Sequence, residues 1–150
     1  MDDEIKGKIQ AQLDRHRIMS IATLRHDGWP QATTVGYVND ALTIYFLCGL
    51  DSQKAANIAA DNRVSIAIND DPSQIMTISG VSLAGHAHAV TEREEAEKVL
   101  ALLPTRYPEQ KALTIAMPKP GDIRIFRVTP TVISLLDYAK GFGHNDLVTC

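Results

Sequence analysis

The feature that most constrains this chain is a succession of three short strand-like runs, residues 17–24, 31–38 and 42–48, each bounded by turn-forming residues. Ile18, Ala22 and Leu24 fall on one face of the first run, with Ser20 between them, and the second is rich in β-branched residues. In the third, Leu42, Ile44, Phe46 and Cys48 alternate onto one side. His26, Asp27, Gly28, Trp29 and Pro30 lie between the first two runs; Asp-Gly favours a hairpin and proline cannot donate to a central ladder. Asn39 and Asp40 supply the next turn. Such spacing predicts an antiparallel meander.

The remaining chain adds strands without a repeating βαβ pattern. Residues 63–68 form a fourth run, closed by Asn69, Asp70, Asp71 and Pro72. Residues 75–90 read as a long β stretch in which Gly80 and Gly85 mark a bulge or bend. Residues 123–128 and 132–136 read as two strands split by Thr129 and Pro130. Helices are expected at three places. Ile5, Ile9 and Leu13 recur at helical spacing within residues 3–15. Residues 54–60 are alanine-rich, with Asp51 or Ser52 as N-cap. Thr91 and Glu94 form a capping box ahead of Ala96, Val99, Leu100 and Leu103, and Pro104 ends that helix. Residues 105–121 look irregular, with a short helix near residues 111–116, and the tail from Lys140 is polar. Six or seven short strands with two or three helices are most economically closed as a barrel, which removes exposed strand edges.

The 150 residues suit one domain, residues 1–150, and 45% hydrophobic residues allow a core. Formal net charge is −3 and no Lys/Arg run stands out, which argues against nucleic acid and against anionic lipid surfaces as partners. Asp2, Asp3 and Glu4 follow Met1, unlike a secretory leader, and no apolar run reaches the ~18 residues a membrane span needs. Cys48 and Cys150 form neither a metal pair nor a disulfide framework. The expected compartment is the cytoplasm.

The segment richest in chemistry is residues 42–60, where a strand ends, the chain turns through Gly49, and a helix opens at Ser52, Gln53 and Lys54. A helix N-terminus offers free N–H groups and the positive end of the macrodipole, so it suits an anion. Ser52 adds a hydroxyl and Lys54 a charge. On spacing alone, an ordinary N-cap beside a solvated lysine is the better explanation of these residues.

Residues 22–68 resemble the pyridoxamine 5′-phosphate oxidase-like FMN-binding split barrels. The ordered features are Ala22, Thr23 and Leu24; Asp27, Gly28, Trp29 and Pro30; residues 32–38; Ile44, Tyr45, Phe46 and Leu47; Asp51, Ser52, Gln53, Lys54 and Ala55; and Asn62, Arg63, Val64 and Ser65. The similarity continues through residues 80–90 and 125–136 and into residues 138–144. It implies a mainly β fold with α, a six- to seven-stranded antiparallel split β-barrel of Greek-key type. It also implies a homodimer with FMN at the subunit interface, the phosphate at Ser52 and Lys54, and Gln53 between them among the cofactor-binding residues. The ring would lie along Thr33, Thr34, Val35 and Gly36, where Gly36 leaves room for close approach, and Phe46, Leu47 and Cys48 would flank the ribityl chain. The family pattern usually carries arginine where Gln53 stands, and this chain ends in Asn145, Asp146, Leu147, Val148, Thr149 and Cys150 instead of an Arg-Leu-x-Pro-like sequence. The cofactor cradle therefore matches, whereas the substrate part of the true oxidase does not.

The function this implies is a flavin-dependent oxidoreductase acting on a small molecule or a reduced nicotinamide, with no protein acid or base required. The alternative is a flavin or haem carrier without turnover. Haem would use His86, His88 or His144 as axial ligand; deazaflavin would call for basic residues that this acidic chain does not offer. His86 and His88, two apart on a strand, could share a metal, but no third ligand is evident. The tail around His144 is expected either to fold over a neighbouring flavin or to be disordered.

Overall fold

A computed structural model describes residues 2–109 and 120–150. The chain opens with α1 (Asp3–Arg15), capped by Asp2, whose carboxylate accepts from the N–H groups of Glu4 and Ile5 at 2.7 and 3.3 Å. Strands β1 (Ile18–Leu24), β2 (Pro30–Gly36), β3 (Val38–Asp40) and β4 (Thr43–Gly49) follow, then α2 (Gln53–Ala60), β5 (Arg63–Asn69), β6 (Ser79–Ala89), α3 (Arg93–Arg106), β7 (Ile123–Asp137) and β8 (Asn145–Thr149). All pairings are antiparallel, in the order β2-β1-β5-β6-β7-β4-β3, with β8 on β7. The sheet curls into a split barrel. The expected fold class is therefore found, with eight strands and three α-helices among the described residues.

Two hairpins replace the expected meander. β1–β2 stands at one end of the strand order and β3–β4 at the other. The chain changes sides at Tyr37, which is buried. Its N–H meets the Tyr107 hydroxyl at 2.8 Å, and that hydroxyl also donates to the Tyr37 carbonyl at 2.8 Å. The Tyr37 N–H also donates to the Arg17 carbonyl at 3.1 Å, so the Tyr107 side chain shares these backbone groups at the point where the chain leaves β1. Asn39 and Asp40 accordingly belong to β3, and the turn moves to Ala41, whose φ is 53°.

β7 is one strand where two were expected. Pro130 is tolerated because it faces Gly85, where the β6–β7 register shifts by a bulge. A Cβ on Gly85 would sit 2.5 Å from the Thr129 carbonyl oxygen, so the strands can approach only because that residue is glycine. At its other end β7 pairs with β8, so the tail forms a strand and a short 3-10 turn (Tyr138–Lys140) against this chain's own sheet. The tail is therefore ordered, which replaces the expectation of disorder. Residues 75–77, expected as strand, form a 3-10 turn (Ile75–Thr77). α3 begins after Glu92 with no side-chain cap, so the capping box is not formed, and it runs two residues past Pro104. Pro104 has no N–H for the Leu100 carbonyl, so the helix runs past it with one hydrogen bond fewer. The expected helix near residues 111–116 lies outside the described residues.

The inward face of the barrel carries Ile21, Ile44, Phe46, Ile66, Val81, Val128 and Ile133, all nearly inaccessible. α1 plugs one mouth with Ile9 and Leu13, both 0% exposed. Each such burial contributes roughly 1.5–3 kcal/mol. α2 covers another part of the core with Ala55 and Ile58. α3 packs on the outer face, where Val99 meets Val38 and Tyr45.

Candidate functional site

The site is built where β4 hands the chain to α2. Ser52 is the N-cap: its Oγ accepts from the Ala55 N–H at 3.1 Å, leaving its own hydrogen free to donate. The N–H groups of Gln53 and Lys54 stand in the first turn, beyond reach of any helix carbonyl. Lys54 is half-buried and has no carboxylate within ion-pair distance among the described residues. Two backbone donors, a hydroxyl and an ammonium therefore gather at the positive end of an eight-residue helix.

A polar network under α2 ties this end to the strands. Gln53 Nε2 donates to Asn57 Oδ1 at 2.7 Å. Asn57 Nδ2 donates to Thr23 Oγ1 at 3.0 Å and to Gln31 Oε1 at 3.2 Å. Asn57 is 2% exposed, so its amide is a fixed strut between the helix, β1 and β2. Sequence reading passed over Asn57, Gln31 and Thr23. The available signal was a polar residue at the core-facing position between Ala55 and Ile58.

β2 is an edge strand, paired only to β1. Its other edge leaves backbone N–H and C=O groups open, which suits hydrogen bonding to a planar ring. Gln31, Thr33 and Val35 turn inward, whereas Thr34 and Gly36 are exposed, so the four residues expected to line the ring divide between two faces. Thr33 Oγ1 is buried with no hydrogen-bond partner. An orphaned hydroxyl of this kind costs about 1–3 kcal/mol unless a ligand or water satisfies it.

Side-chain placement bears on the contacts expected of Gly36, Phe46 and Leu47. The space left by Gly36 is already used: a Cβ would lie 2.8 Å from the Tyr107 hydroxyl. Phe46 is 0% exposed and stacks on Phe126 with ring centroids 5.4 Å apart, so its side chain belongs to the core. Leu47 packs toward α3, on the opposite face from Phe46. Of that trio only Cys48, half-buried at the core's edge, keeps a side chain near the α2 side of β4.

The histidines do not converge. His86 Nδ1 lies 2.8 Å from Asn62 Oδ1, and its ring stands 6.5 Å from that of His88. His144 sits at the Asp137 end of β7, which pairs with Ser79, seven residues along β6 from His86. Among the described residues no group of three or more His, Cys, Asp or Glu is placed to hold a metal. Trp29 is 72% exposed at the β1–β2 turn, where the Asp27 carboxylate accepts its N–H at 3.1 Å and is held below the usual carboxylate range by that bond.

An antiparallel split barrel whose short second helix opens on a hydroxyl and a lysine defines a recognisable class. The pyridoxamine 5′-phosphate oxidase family profile matches residues 5–137, and the chain belongs to that family. It is 28% identical over 138 residues to general stress protein 26 of Bacillus subtilis, a match covering 88% of this chain and 97% of that protein. The general stress protein 26 structure from Bacillus anthracis has a TM-score of 0.71 at 15% identity, covering 98% of this chain and 99% of that one. A haem-binding protein from Mycobacterium smegmatis has a TM-score of 0.74 at 20% identity, covering 99% of this chain and 58% of that one. At these identities the two structures share the fold.

Proposed function

We propose that this chain is an FMN-binding flavoprotein, with the flavin phosphate captured at the N-terminus of α2 and the ring set along the open edge of β2. The observation that carries the reading is the pairing of unsatisfied groups on adjoining elements. Lys54 and the first-turn N–H groups need an anion; Thr33 Oγ1 and the β2 edge need hydrogen-bond partners. A phosphate attached to a polar planar ring answers both. The residues present therefore fit the group.

Bound FMN would supply hydride transfer to and from a small molecule or a reduced nicotinamide. The chain's own contribution is positional. Ser52 and Lys54 bind the dianion, Asn57 and Gln53 fix the helix relative to β1 and β2, and Thr33 orients the ring edge. No acid or base is assigned to this chain. In this reading the working unit is a homodimer, with the open β2 edge and the flavin at the subunit contact. The two free cysteines, Cys48 and Cys150, suit a reducing cytoplasm; no described helix is long and apolar enough to cross a membrane.

Lys54→Ala tests the placement directly. Loss of a charge-assisted contact should weaken FMN binding roughly 10- to 150-fold, read by flavin fluorescence titration. Unchanged affinity would remove the phosphate from this helix. Anaerobic bleaching of the bound flavin by NADH or NADPH marks an oxidoreductase; a flavin that stays oxidised with both marks a carrier. The haem-binding relative motivates a second reading, and a Soret band in place of flavin absorption in the purified protein would select it.

A further inference from the structure

We infer that the groove between the C-terminal half of α2 and the barrel mouth is a second binding site, which takes a small amphipathic carboxylate. The groove has a volume of about 460 Å³, within the range of small-molecule sites. It is independent of the flavin reading, since none of the residues assigned to FMN lines it.

Its shape follows from residue size. Ala55 and Ala59 on α2 face Ala87 and Ala89 on β6, and Ile58 and Phe126 line the apolar part. Four alanines at facing positions leave empty volume where larger side chains would have filled the core. Its charge follows from pairing. Asp61, at the far rim, is bound through both carboxylate oxygens to Arg63, at 3.0 Å to Nε and 2.6 Å to Nη2. Arg124 also lines the groove, and among the described residues no carboxylate lies within ion-pair distance of it. It shares the inward face of β7 with Phe126, two residues on. The groove thus presents one uncompensated guanidinium beside an apolar surface.

That combination selects the ligand class. A guanidinium fork matches the two oxygens of a carboxylate, while the alanine-lined wall accepts an aliphatic or aromatic body. Asn62 and His88 also line the groove and offer polar contacts to a substituent. A neutral molecule of the same shape keeps the apolar contact and loses the fork.

The test is a titration of the ¹⁵N-labelled full chain with phenylacetate and, in parallel, with phenylacetamide, followed by NMR. Phenylacetate should shift the amides of Ala59, Ala87 and Ala89 and the Nε–H of Arg124, saturating at least fivefold more tightly than the amide. Arg124→Gln should abolish that preference, and Ala59→Leu, which fills the groove, should prevent binding of both. Arg124 is exposed, so its variant should retain a dispersed spectrum, and its FMN affinity should stay within twofold of the parent. Shifts confined to other surfaces, equal binding of acid and amide, or a preference that survives Arg124→Gln would each overturn the site. Joint loss of phenylacetate and FMN binding in Arg124→Gln would overturn its independence from the flavin.

Discussion

The two ends of this barrel treat their polar groups in opposite ways. Where α3 ends against the α1–β1 junction, the charged and phenolic groups are paired, and Gln12 Oε1 is the buried oxygen left without a partner there among the described residues. The Arg106 guanidinium donates to the carbonyls of Leu13 and His16 at 3.3 and 3.0 Å and to Asn39 Oδ1 at 2.6 Å, and it lies 5.4 Å from the Tyr37 ring centroid. Asn39 passes the contact on to Asp14 at 2.8 Å, and the Tyr37 hydroxyl donates to the Leu13 carbonyl at 2.6 Å. Burial pushes the Tyr37 and Tyr107 phenols above their ordinary range, which keeps both protonated as donors. Around α2, by contrast, Lys54 and Arg124 lack counter-charges among the described residues and Thr33 Oγ1 lacks any partner. A satisfied network holds a fold; open groups beside free volume are what a ligand can complete.

The sharpest way to break this contrast is Arg106→Ala. It strands two partly buried acceptors, the His16 carbonyl and Asn39 Oδ1, and takes one of two donors from the Leu13 carbonyl, and we expect a loss of about 2–4 kcal/mol, hence a fall in Tm of roughly 4–16 °C for a chain of this size. FMN affinity below the new Tm should hardly change. A variant that kept its Tm but lost FMN would mean that the α3 latch, not α2, serves the ligand.

The same contrast explains what could be read in advance. Strand content, the barrel, the cap at Ser52 and the bulge at glycine in β6 were all legible, because alternation, turn residues and capping are local patterns. Tyr37 and Tyr107 were not. They lie 70 residues apart, and only tertiary contact shows that one phenol bonds the backbone of the other where the chain changes sides. Pro130 was misread for a related reason, since a proline breaks a strand unless its partner is bulged, and the partner is Gly85 on another element. At the candidate site, Ser52 and Lys54 were accessible through local helix chemistry. Asn57 and Arg124 were not, since their roles depend on which groups do, and do not, face them across the barrel.

Gly36 separates the two regions more finely. Gly36→Ala should push the Tyr107 hydroxyl from its place and cost about 1–2 kcal/mol, as overpacking does. Adding Tyr107→Phe, which removes the clashing oxygen, should recover part of that loss. If Gly36→Ala instead leaves Tm unchanged and weakens FMN, the residue belongs to the flavin side of the comparison.

The smallest expected effect concerns acid stability on the paired side. Asp70 bridges α1 and the β5–β6 connection: Arg15 Nη2 lies 2.5 Å from Oδ2, His16 Nε2 2.9 Å from Oδ1, and Ser79 Oγ donates to Oδ2 at 2.7 Å. The Arg15 contact chiefly holds its carboxyl down at about 2. A carboxylate depressed in the folded state adds stability above its unfolded value of about 3.9, and that share is lost as pH falls through the folded value. Asp61 is held near the same value by Arg63, so Asp70→Asn removes only part of the acid dependence. The gap in Tm between the parent and Asp70→Asn should therefore be widest above about pH 4 and close toward pH 2. A gap of constant size from pH 6 to pH 2 would mean that Asp70 acts through packing and neutral hydrogen bonds, and that its charge does nothing to hold α1 to the β5–β6 connection.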